Sequence, residues 1–547
     1  MIISNKNGNT IYKSWRVNGV KQSEEVEYRP YFYVLSDTKE RPTYTISKYT
    51  NGKFEYVEGD WQDLEGNSLK RVYVEKSWDM VKARQCFDKT YEADVAYTFR
   101  YAVDEVNEMP EYNMRKWYWD MEWQQGGEHH DEITTIVMYD NYDKEYFQWV
   151  WFPNQEPYDG FKMSTDKVQH VSVFNTEKEM IEHFMGTMIA KDPDMLIAWF
   201  GLKFDLPKLL DRACALGLNP LVMSPYHKID GVKQLKNGCS FKRQDGYSPI
   251  EQPIGGRLTL NLDLAFERQW NDSQRGTLPS LSLDYVSKLL FDEGKVMDTK
   301  FEDPNEFYRR AWLEDTKAYL QYAVVDVELL VKIDEKNYCS EAILSLQRLL
   351  KAPFKACFYA SHMGSIYFMR NAWWKAPTGI KSADRKEYEG AMIYDPLSES
   401  TNGLHLNVAA FDFAGLYPSM MVARNISWET KSETPTEFGV NILTPRDFSE
   451  PEGDRMYYYK TDELGLLPKA VLELKELRND YKKRMKNSEG DEYVKWYNNQ
   501  MAVKRLMASF YGVLAYQGFG WADVDLAASI TASAREAIRL AAFKAKE

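Results

Sequence analysis

The sequence predicts a multidomain α/β protein, and three observations predict it. Residues 1 to about 105 alternate apolar and polar side chains in short runs such as EVEYRPYFYVLS and KRVYVEKS, a period of two that reads as β. The stretch that follows, to about residue 340, sets apolar strands ahead of segments with helical spacing. From residue 465, two long amphipathic stretches succeed one another across a short turn. At roughly 100–200 residues per domain, 547 residues make three to five units and exclude a single core.

Taken in order, the first 105 residues, broken by turns such as Asn51-Gly52, form a separate, mostly β domain. KWYWDMEW (116–123), ITTIVMYD (133–140) and EYFQWVWF (145–152) are strands between polar turns, and TEKEMIEHFMGTMIAKD (176–192) has the spacing of a helix. This α/β domain closes with the helix DTKAYLQYAVVDVELLVKIDEKNY (315–338). From Cys339 to Trp374 the pattern is helical and apolar, after which KAPTGIKSADRKEYEGAMIYDPLSES is loop-rich and marks a junction. LNVAAFDFAGLYPSMMVARN (406–425) reads as a strand and a turn into a helix. LPKAVLELKELRNDYKKRMKN and DEYVKWYNNQMAVKRLMASFYGVLA, joined at Ser488-Glu489-Gly490, form an antiparallel helical hairpin.

Composition narrows the function classes. Hydrophobic residues at 44% and charged residues at 28% fit a folded, soluble protein and exclude disordered or fibrous ones. No window of ~18 uncharged apolar residues occurs, and MIISNKNGNTIYK lacks the layout of a secretory signal, so neither a membrane nor an export reading stands. Cys86, Cys214, Cys239, Cys339 and Cys357 show no paired C-x-x-C; the expectation is free thiols in a reducing cytoplasm, without disulfide framework or zinc site. The net charge of −13 argues against coating nucleic acid with the whole surface. It is unevenly spread: from Gly465 onwards 14 Lys/Arg face 10 Asp/Glu, so this stretch carries +4 and the rest −17. Thirty-seven Tyr and 16 Trp suit base stacking, although large cores account for most of them.

The acids carry the first chemical signal. Asp120 and Glu122 are two apart on an apolar strand, so both side chains leave the same face. Asp205 follows the apolar run MLIAWFGLKF, and Asp326 stands one helical turn beyond Tyr322 among apolar neighbours, where a carboxylate without a partner is costly. If these four converge, they can hold two Mg2+ or Mn2+ ions roughly 3.5–4 Å apart, an arrangement that makes a hydroxide nucleophile and stabilises a phosphodiester leaving group. Tyr322 would orient the attacking water.

The order D-x-E, F-D, Y-x-x-x-D resembles the 3′–5′ proofreading exonuclease of family B DNA polymerases. GGRLTLNLDLAFERQW and LPSLSLDYVSKLLF, between the second and third motifs, resemble it too. One position departs: Phe200 stands where the family usually carries Asn, five residues before Asp205. Further along, Asp412-Phe-Ala-Gly-Leu416-Tyr417-Pro418-Ser419 resembles the palm motif D-x-x-S-L-Y-P-S, with Gly415 in place of Ser. By this resemblance Asp412 ends a palm strand and holds metal, the backbone of 415–417 meets the triphosphate, and Tyr417 underlies the sugar and excludes a 2′-hydroxyl. On the hairpin, Arg478 and Lys482 share a helical face and Lys504 stands opposite on the returning helix, so three cations can meet one triphosphate. Lys504 opens KRLMASFYG, which resembles the fingers motif K-x-x-x-N-S-x-Y-G; Ala508 replaces its Asn, and Tyr511 and Gly512 then line the nascent base-pair pocket. Tyr388-Glu389-Gly390-Ala391 resembles the Y-x-G-G/A segment, which implies template-phosphate contacts from Tyr388 and Gly390.

The resemblance implies an N-terminal domain (1–105), a ribonuclease H-like exonuclease domain (106–340), a helical connector to the N-terminal domain (341–385), the first part of a palm (386–464), helical fingers (465–520) and the start of the return to the palm (521–547). Neither the third palm motif, D-T-D, nor the thumb is found; Asp523-Val524-Asp525 is read as a decoy. The expectation is a DNA-directed DNA polymerase, a nucleotidyltransferase of DNA replication with a proofreading exonuclease, using two divalent cations per site. Its partners would be primer–template and single-stranded DNA, dNTPs, a C-terminal polymerase subunit bringing the third motif and thumb, and a sliding clamp as a further candidate. The compact, insertion-poor resemblance suggests a viral or phage source and hence the host cytoplasm. A truncated polymerase predicts the same sequence, and two other functions stay open: a stand-alone exonuclease with a structural polymerase half, and a non-catalytic DNA- or nucleotide-binding scaffold.

Overall fold

A computed structural model describes all residues except 40–53, 154–167, 273–275, 293, 295–300, 302, 380–387, 393–403, 410, 443–454, 517 and 547. The turn expected at Asn51-Gly52 lies outside the described residues. By its contacts the chain forms two compact units: Met1–Tyr28 with Asn107–Arg348 and Pro353–Phe358, and Arg29–Val106 with Leu349–Ala352 and Tyr359–Glu547. The stretch 1–105, read from sequence as one domain, is thus divided after Tyr28. The cause lies in the antiparallel meander Ile2–Asn5, Thr10–Val17, Val20–Glu27, whose side chains are bonded into the first unit. Tyr12 packs on Tyr226 with ring centroids 5.0 Å apart, Lys228 Nζ donates to the Asn5 carbonyl at 2.7 Å, and the buried Arg16 guanidinium pairs with Asp194 at 2.5 Å. Alternation identifies a strand but not the body it joins.

The first unit is built on a six-stranded sheet in the order Val168–Phe174, Glu145–Trp151, Ile133–Asp140, Lys116–Trp123, Met195–Ala198, Leu258–Asn261. Lys116–Trp123 is antiparallel to Ile133–Asp140 on one side and parallel to Met195–Ala198 on the other. Its period of two sorts its side chains. Trp117 and Trp119 meet Phe184 of helix Glu177–Lys191, each with ring centroids 6.2 Å away. Tyr118, and with it Asp120 and Glu122, faces the other way, and the Tyr118 hydroxyl donates to Asp334 of helix Thr316–Asn337 at 2.6 Å. Helix Glu177–Lys191 begins where expected because the Thr176 side chain accepts the Glu179 N–H, satisfying one of the orphan donors of its first turn. Cys214 and Cys239, expected as free thiols, are joined as a disulfide, with Cα atoms 5.3 Å apart. Helix Asp205–Ala215 packs on the strand Gly238–Phe241, a tertiary contact that cysteine spacing does not encode.

The second unit combines the antiparallel strands Tyr31–Leu35, Ser68–Tyr73 and Glu55–Gln62, with Ser68–Tyr73 in the middle, and a largely helical part. The predicted hairpin is present as Leu466–Lys486 and Gly490–Leu514, packed along each other. Its base is fixed by an aromatic core in which the Phe368 ring lies 4.9 Å from Phe510, 5.1 Å from Trp428 and 5.6 Å from Trp521. The strand expected ahead of Asp412 does not form: the described residues from 404 to 413 belong to no strand, and Leu404, Leu406, Val408 and Phe411 are between 72% and 94% exposed. A strand needs a ladder partner for its backbone, and no described segment pairs with this one. The helix expected after the turn is present as Leu416–Ala423.

Candidate functional site

In the first unit, the strand brings Asp120 and Glu122 to the face covered by helix Thr316–Asn337, which contributes Asp326. One oxygen from each of these three carboxylates lies within 4.8 Å of the other two. Asp326 is buried, and Asp120 and Glu122 are half-buried. An all-oxygen set of this kind fits a hard cation such as Mg2+ or Mn2+, and repulsion among the three is what a cation would relieve. Asp205, the fourth acid expected to converge, is not a member of this tight group of three. Asp205 opens helix Asp205–Ala215 and is buried there, across a turn held by the Leu202 N–H donating to Asn261 Oδ1 at 2.9 Å. A side chain at Gly201 would put its Cβ 2.5 Å from that of Ala198, so the turn has room only for glycine. Phe200, the departure from the resembled motif, sets its ring edge-on to Phe204, centroids 6.3 Å apart.

Tyr322 lies one turn before Asp326 on the same helical face, buried, with its hydroxyl 3.3 Å from that of Tyr308. Burial pushes its phenol far above the ordinary range, and the nearby Asp326 and Glu122 carboxylates push it further, so it is neutral. Tyr319 is raised in the same way, by burial and then by Glu122, and shares a 2.8 Å hydrogen bond with Thr134. The sequence reading missed Tyr308, Tyr319 and Asn261. The spacing of 319, 322 and 326 carries a signal for Tyr319; Tyr308 stands on another helix, Pro304–Glu314, and has none.

In the second unit, Gly415 caps helix Leu416–Ala423 with φ +78°, a left-handed conformation that penalises a Cβ. Tyr417 follows it and meets Tyr511 of helix Gly490–Leu514, with ring centroids 4.3 Å apart. The Tyr511 hydroxyl lies 3.3 Å from that of Tyr388, and burial followed by this contact raises the Tyr511 phenol well above its usual range. Gly512 is exposed, with open space where a Cβ would stand, and Ala508 is exposed one turn earlier. Lys482 is held below the ordinary lysine range by Arg478 first, then by burial, Lys486 and Lys504, so both other predicted cations act on it. Burial lowers Arg478 as well, and its Nε donates to Gln500 Oε1 at 3.2 Å. Asp412 is exposed and belongs to no group of three acids among the described residues. Asp523 and Asp525, read as a decoy, are engaged elsewhere: Asp523 accepts the N–H groups of Asp525 and Leu526 and pairs with Lys431 at 2.6 Å, and Tyr457 donates to Asp525 at 3.0 Å. Gly390 lies exposed beside Tyr388 and Glu389.

Two family matches bear on these sites. Residues 88–262 match "DNA polymerase family B, exonuclease domain", and residues 359–544 match "DNA polymerase family B", together about two thirds of the chain. The chain belongs to DNA polymerase family B. The family B exonuclease match contains Asp120, Glu122 and Asp205, and the polymerase match contains every residue singled out in the second unit from Tyr388 to Gly512. A DNA polymerase of Pyrococcus glycovorans is 27% identical over 396 residues, 70% of this chain and 46% of its own length. A DNA polymerase of Thermococcus gorgonarius is 24% identical over 477 residues, 84% of this chain and 55% of its own length. The DNA polymerase delta catalytic subunit of Plasmodium falciparum is 27% identical over 380 residues, 67% of this chain and 33% of its own length. This family B chain thus spans about half the length of the first two relatives and a third of the last. Among the described residues no helix is long and apolar enough to cross a membrane.

Proposed function

We propose that this chain removes nucleotides from the 3′ end of single-stranded DNA and contributes the nucleotide pocket of a replicative DNA polymerase, acting on primer–template DNA and dNTPs. The observation that carries the reading is the convergence of Asp120, Glu122 and Asp326 beside a neutral Tyr322. These three carboxylates, with Asp205 close by in sequence to the same sheet, are the residues that would hold two Mg2+ or Mn2+ ions; bound ions supply a hydroxide nucleophile and charge stabilisation for the leaving oxygen. Tyr322, kept protonated, is an O–H donor able to orient the attacking water, and Tyr308 restrains its hydroxyl. In the second unit Asp412 would take metal, and the N–H groups of 415–417 at the start of a helix would take phosphate. Arg478, Lys482 and Lys504 would neutralise the triphosphate, Leu416 and Tyr417 would bound the sugar, Tyr511 and Gly512 the base pair, and Tyr388 and Gly390 the template.

Synthesis on this reading is split: a partner chain with a third palm motif and thumb completes the site. What supports it is that Asp412 stands exposed while Asp523 and Asp525 are occupied by a helix cap, Lys431 and Tyr457. The same exposure favours a second reading, a 3′–5′ exonuclease whose polymerase half is structural. The test is degradation of single-stranded DNA in Mg2+ or Mn2+, lost in Asp120→Ala and retained in Asp412→Ala. Primer extension on adding the partner chain, abolished by Asp412→Ala or Lys504→Ala, separates the two readings. Binding of single-stranded DNA without any cleavage would overturn both.

A further inference from the structure

We infer that the turn end of the helical hairpin is a second DNA-binding site, one that takes the single-stranded template by stacking on its bases. The inference rests on the nucleotide pocket proposed above and extends it outward. Four aromatic side chains gather within about two turns of the bend: Tyr481 on Leu466–Lys486, and Tyr493, Trp496 and Tyr497 on Gly490–Leu514. The Tyr481 and Trp496 rings join the two helices, centroids 5.6 Å apart. Tyr493 and Tyr497 lie one turn apart on one face, their rings 17° from parallel with 6.4 Å between centroids, and Tyr493 is 40% exposed. The Arg484 guanidinium lies over the Trp496 ring at 4.8 Å, held there by Asp480 at 2.8 Å, and Lys495 Nζ stands 5.4 Å from the same ring.

Joining the helices does not call for Tyr493, whose ring contact is made within its own helix. An exposed tyrosine and a guanidinium laid flat are, however, two surfaces on which unpaired bases stack. Bases in a duplex are already stacked on one another and cannot use them. The phosphates between unpaired bases meet the cations: Arg478, Lys482 and Lys486 recur every four residues and so form one strip from the pocket towards the bend, and Lys486 as well as Arg478 acts on Lys482. Of the acids at this end, Asp480 is engaged by Arg484, Glu492 accepts the Trp496 Nε1–H at 3.3 Å, and Glu489 and Asp491 sit at the start of a helix, where its dipole favours them. The site is distinct from the base-pair pocket, because at about 1.5 Å per residue Tyr493 stands about 27 Å along the helix from Tyr511. At about 3.4 Å per stacked nucleotide, that distance is about eight nucleotides of template.

The test uses the full chain, silenced for cleavage by Asp120→Ala, and a single strand of about 20 nucleotides carrying photoreactive iodouracil, longer than the sites usual for single-strand binding. Crosslinks are mapped by mass spectrometry, and their yield at Trp496 and Tyr497, titrated against DNA at several salt concentrations, gives the Kd of the bend itself. Crosslinks are expected there. Tyr493→Leu, which keeps a good helix former, should weaken that Kd at least about fivefold, the lower bound for one lost base stack, without changing its salt dependence. Lys486→Gln should instead make log Kd against log salt shallower by about 0.7, one phosphate contact on a single strand. On a primer–template, the crosslinks should come from template positions about eight or more beyond the primer end. No crosslink within 481–497, crosslinks from the positions next to the primer end alone, equal crosslinking of a blunt duplex, or equal displacement by a polyglutamate peptide of the same charge would overturn the inference; the last would mark a surface for acidic protein segments. Should the chain fail to hold a primer–template at all, the pocket reading fails, while the single-strand crosslinks still decide the bend.

Discussion

Replacing Asp326 by Asn should move stability and activity in opposite directions. Its carboxylate, with those of Asp120 and Glu122, forms a set of oxygens within 4.8 Å of one another. Two unit charges at that separation repel by about 3.5 kcal/mol at an effective dielectric near 20 and by about 0.9 kcal/mol in bulk water. Asp326 enters two of the three pairs, so neutralising it relieves roughly 2–7 kcal/mol in metal-free protein, towards the lower end because Asp120 and Glu122 are partly solvated. Asparagine keeps the shape and one acceptor oxygen, but its buried amide costs about 1–3 kcal/mol if it finds no acceptor. The metal-free variant should therefore melt no lower than wild type. In Mg2+ at about 100 times its Kd, wild type should gain about 2.7 kcal/mol through mass action and the variant far less, because a ligand is gone. Cleavage of single-stranded DNA should fall at least about 100-fold, more than the loss typical of removing a group that only supports a metal ligand. Scanning calorimetry in chelator and in Mg2+, alongside a gel assay of cleavage, reads all three quantities. A variant that melts well below wild type in chelator yet gains as much from Mg2+ would show that the three acids do not form a common cation site.

Three further outcomes are expected. Tyr322→Phe should slow single-strand cleavage by about 100-fold, the scale of a lost positioned proton donor, while leaving the Mg2+-dependent rise in melting temperature intact; loss of that rise would assign Tyr322 to the metal site instead. Burial pushes the Asp263 carboxyl up from 3.8 to about 7, so the folded state holds its proton more tightly than the unfolded state. The associated stability is complete below about pH 4 and is lost as pH rises through 7, at most about 4 kcal/mol; wild type should weaken relative to Asp263→Asn across that window in urea titrations, and parallel pH profiles would rule this out. Gly512→Ala, with open space at the Cβ and a helical backbone, should stabilise the free chain by about 0.5–1 kcal/mol while weakening binding of primer–template DNA, and equal or tighter binding would show that nothing approaches that face.

What the sequence disclosed and what it withheld divide along a physical line. Where function depends on local period, the reading held: Asp120 and Glu122 leave one face of a strand, Tyr322 and Asp326 one face of a helix, and the two helices around Ser488 form a hairpin. Where it depends on which body an element joins, the reading failed. The alternation of Leu404, Leu406 and Val408 is as good as that of any strand, yet no described segment pairs with it. The meander before Tyr28 was grouped with the β runs after it, and Cys214 found Cys239 through packing of a helix on a strand.

The two units share one electrostatic principle with opposite signs. The first holds three carboxylates within reach of one another on a strand and a helix whose positions are set by large aromatic contacts, including Trp117 and Trp119 on Phe184. The second holds Arg478, Lys482 and Lys504 close enough that they depress the Lys482 ammonium, on two helices whose base is locked by Phe510 and Phe368. In each case like charges are brought together by elements that apolar packing elsewhere in the same unit holds in place. The first unit thereby concentrates negative charge and the second positive charge. A strip of like charge formed by chance on a surface would relax by rotamer change at little cost, because long exposed side chains are free to separate. Here Asp326 is buried and the Arg478 Nε donates to Gln500, so at least these two members are restrained from swinging away from their like-charged neighbours.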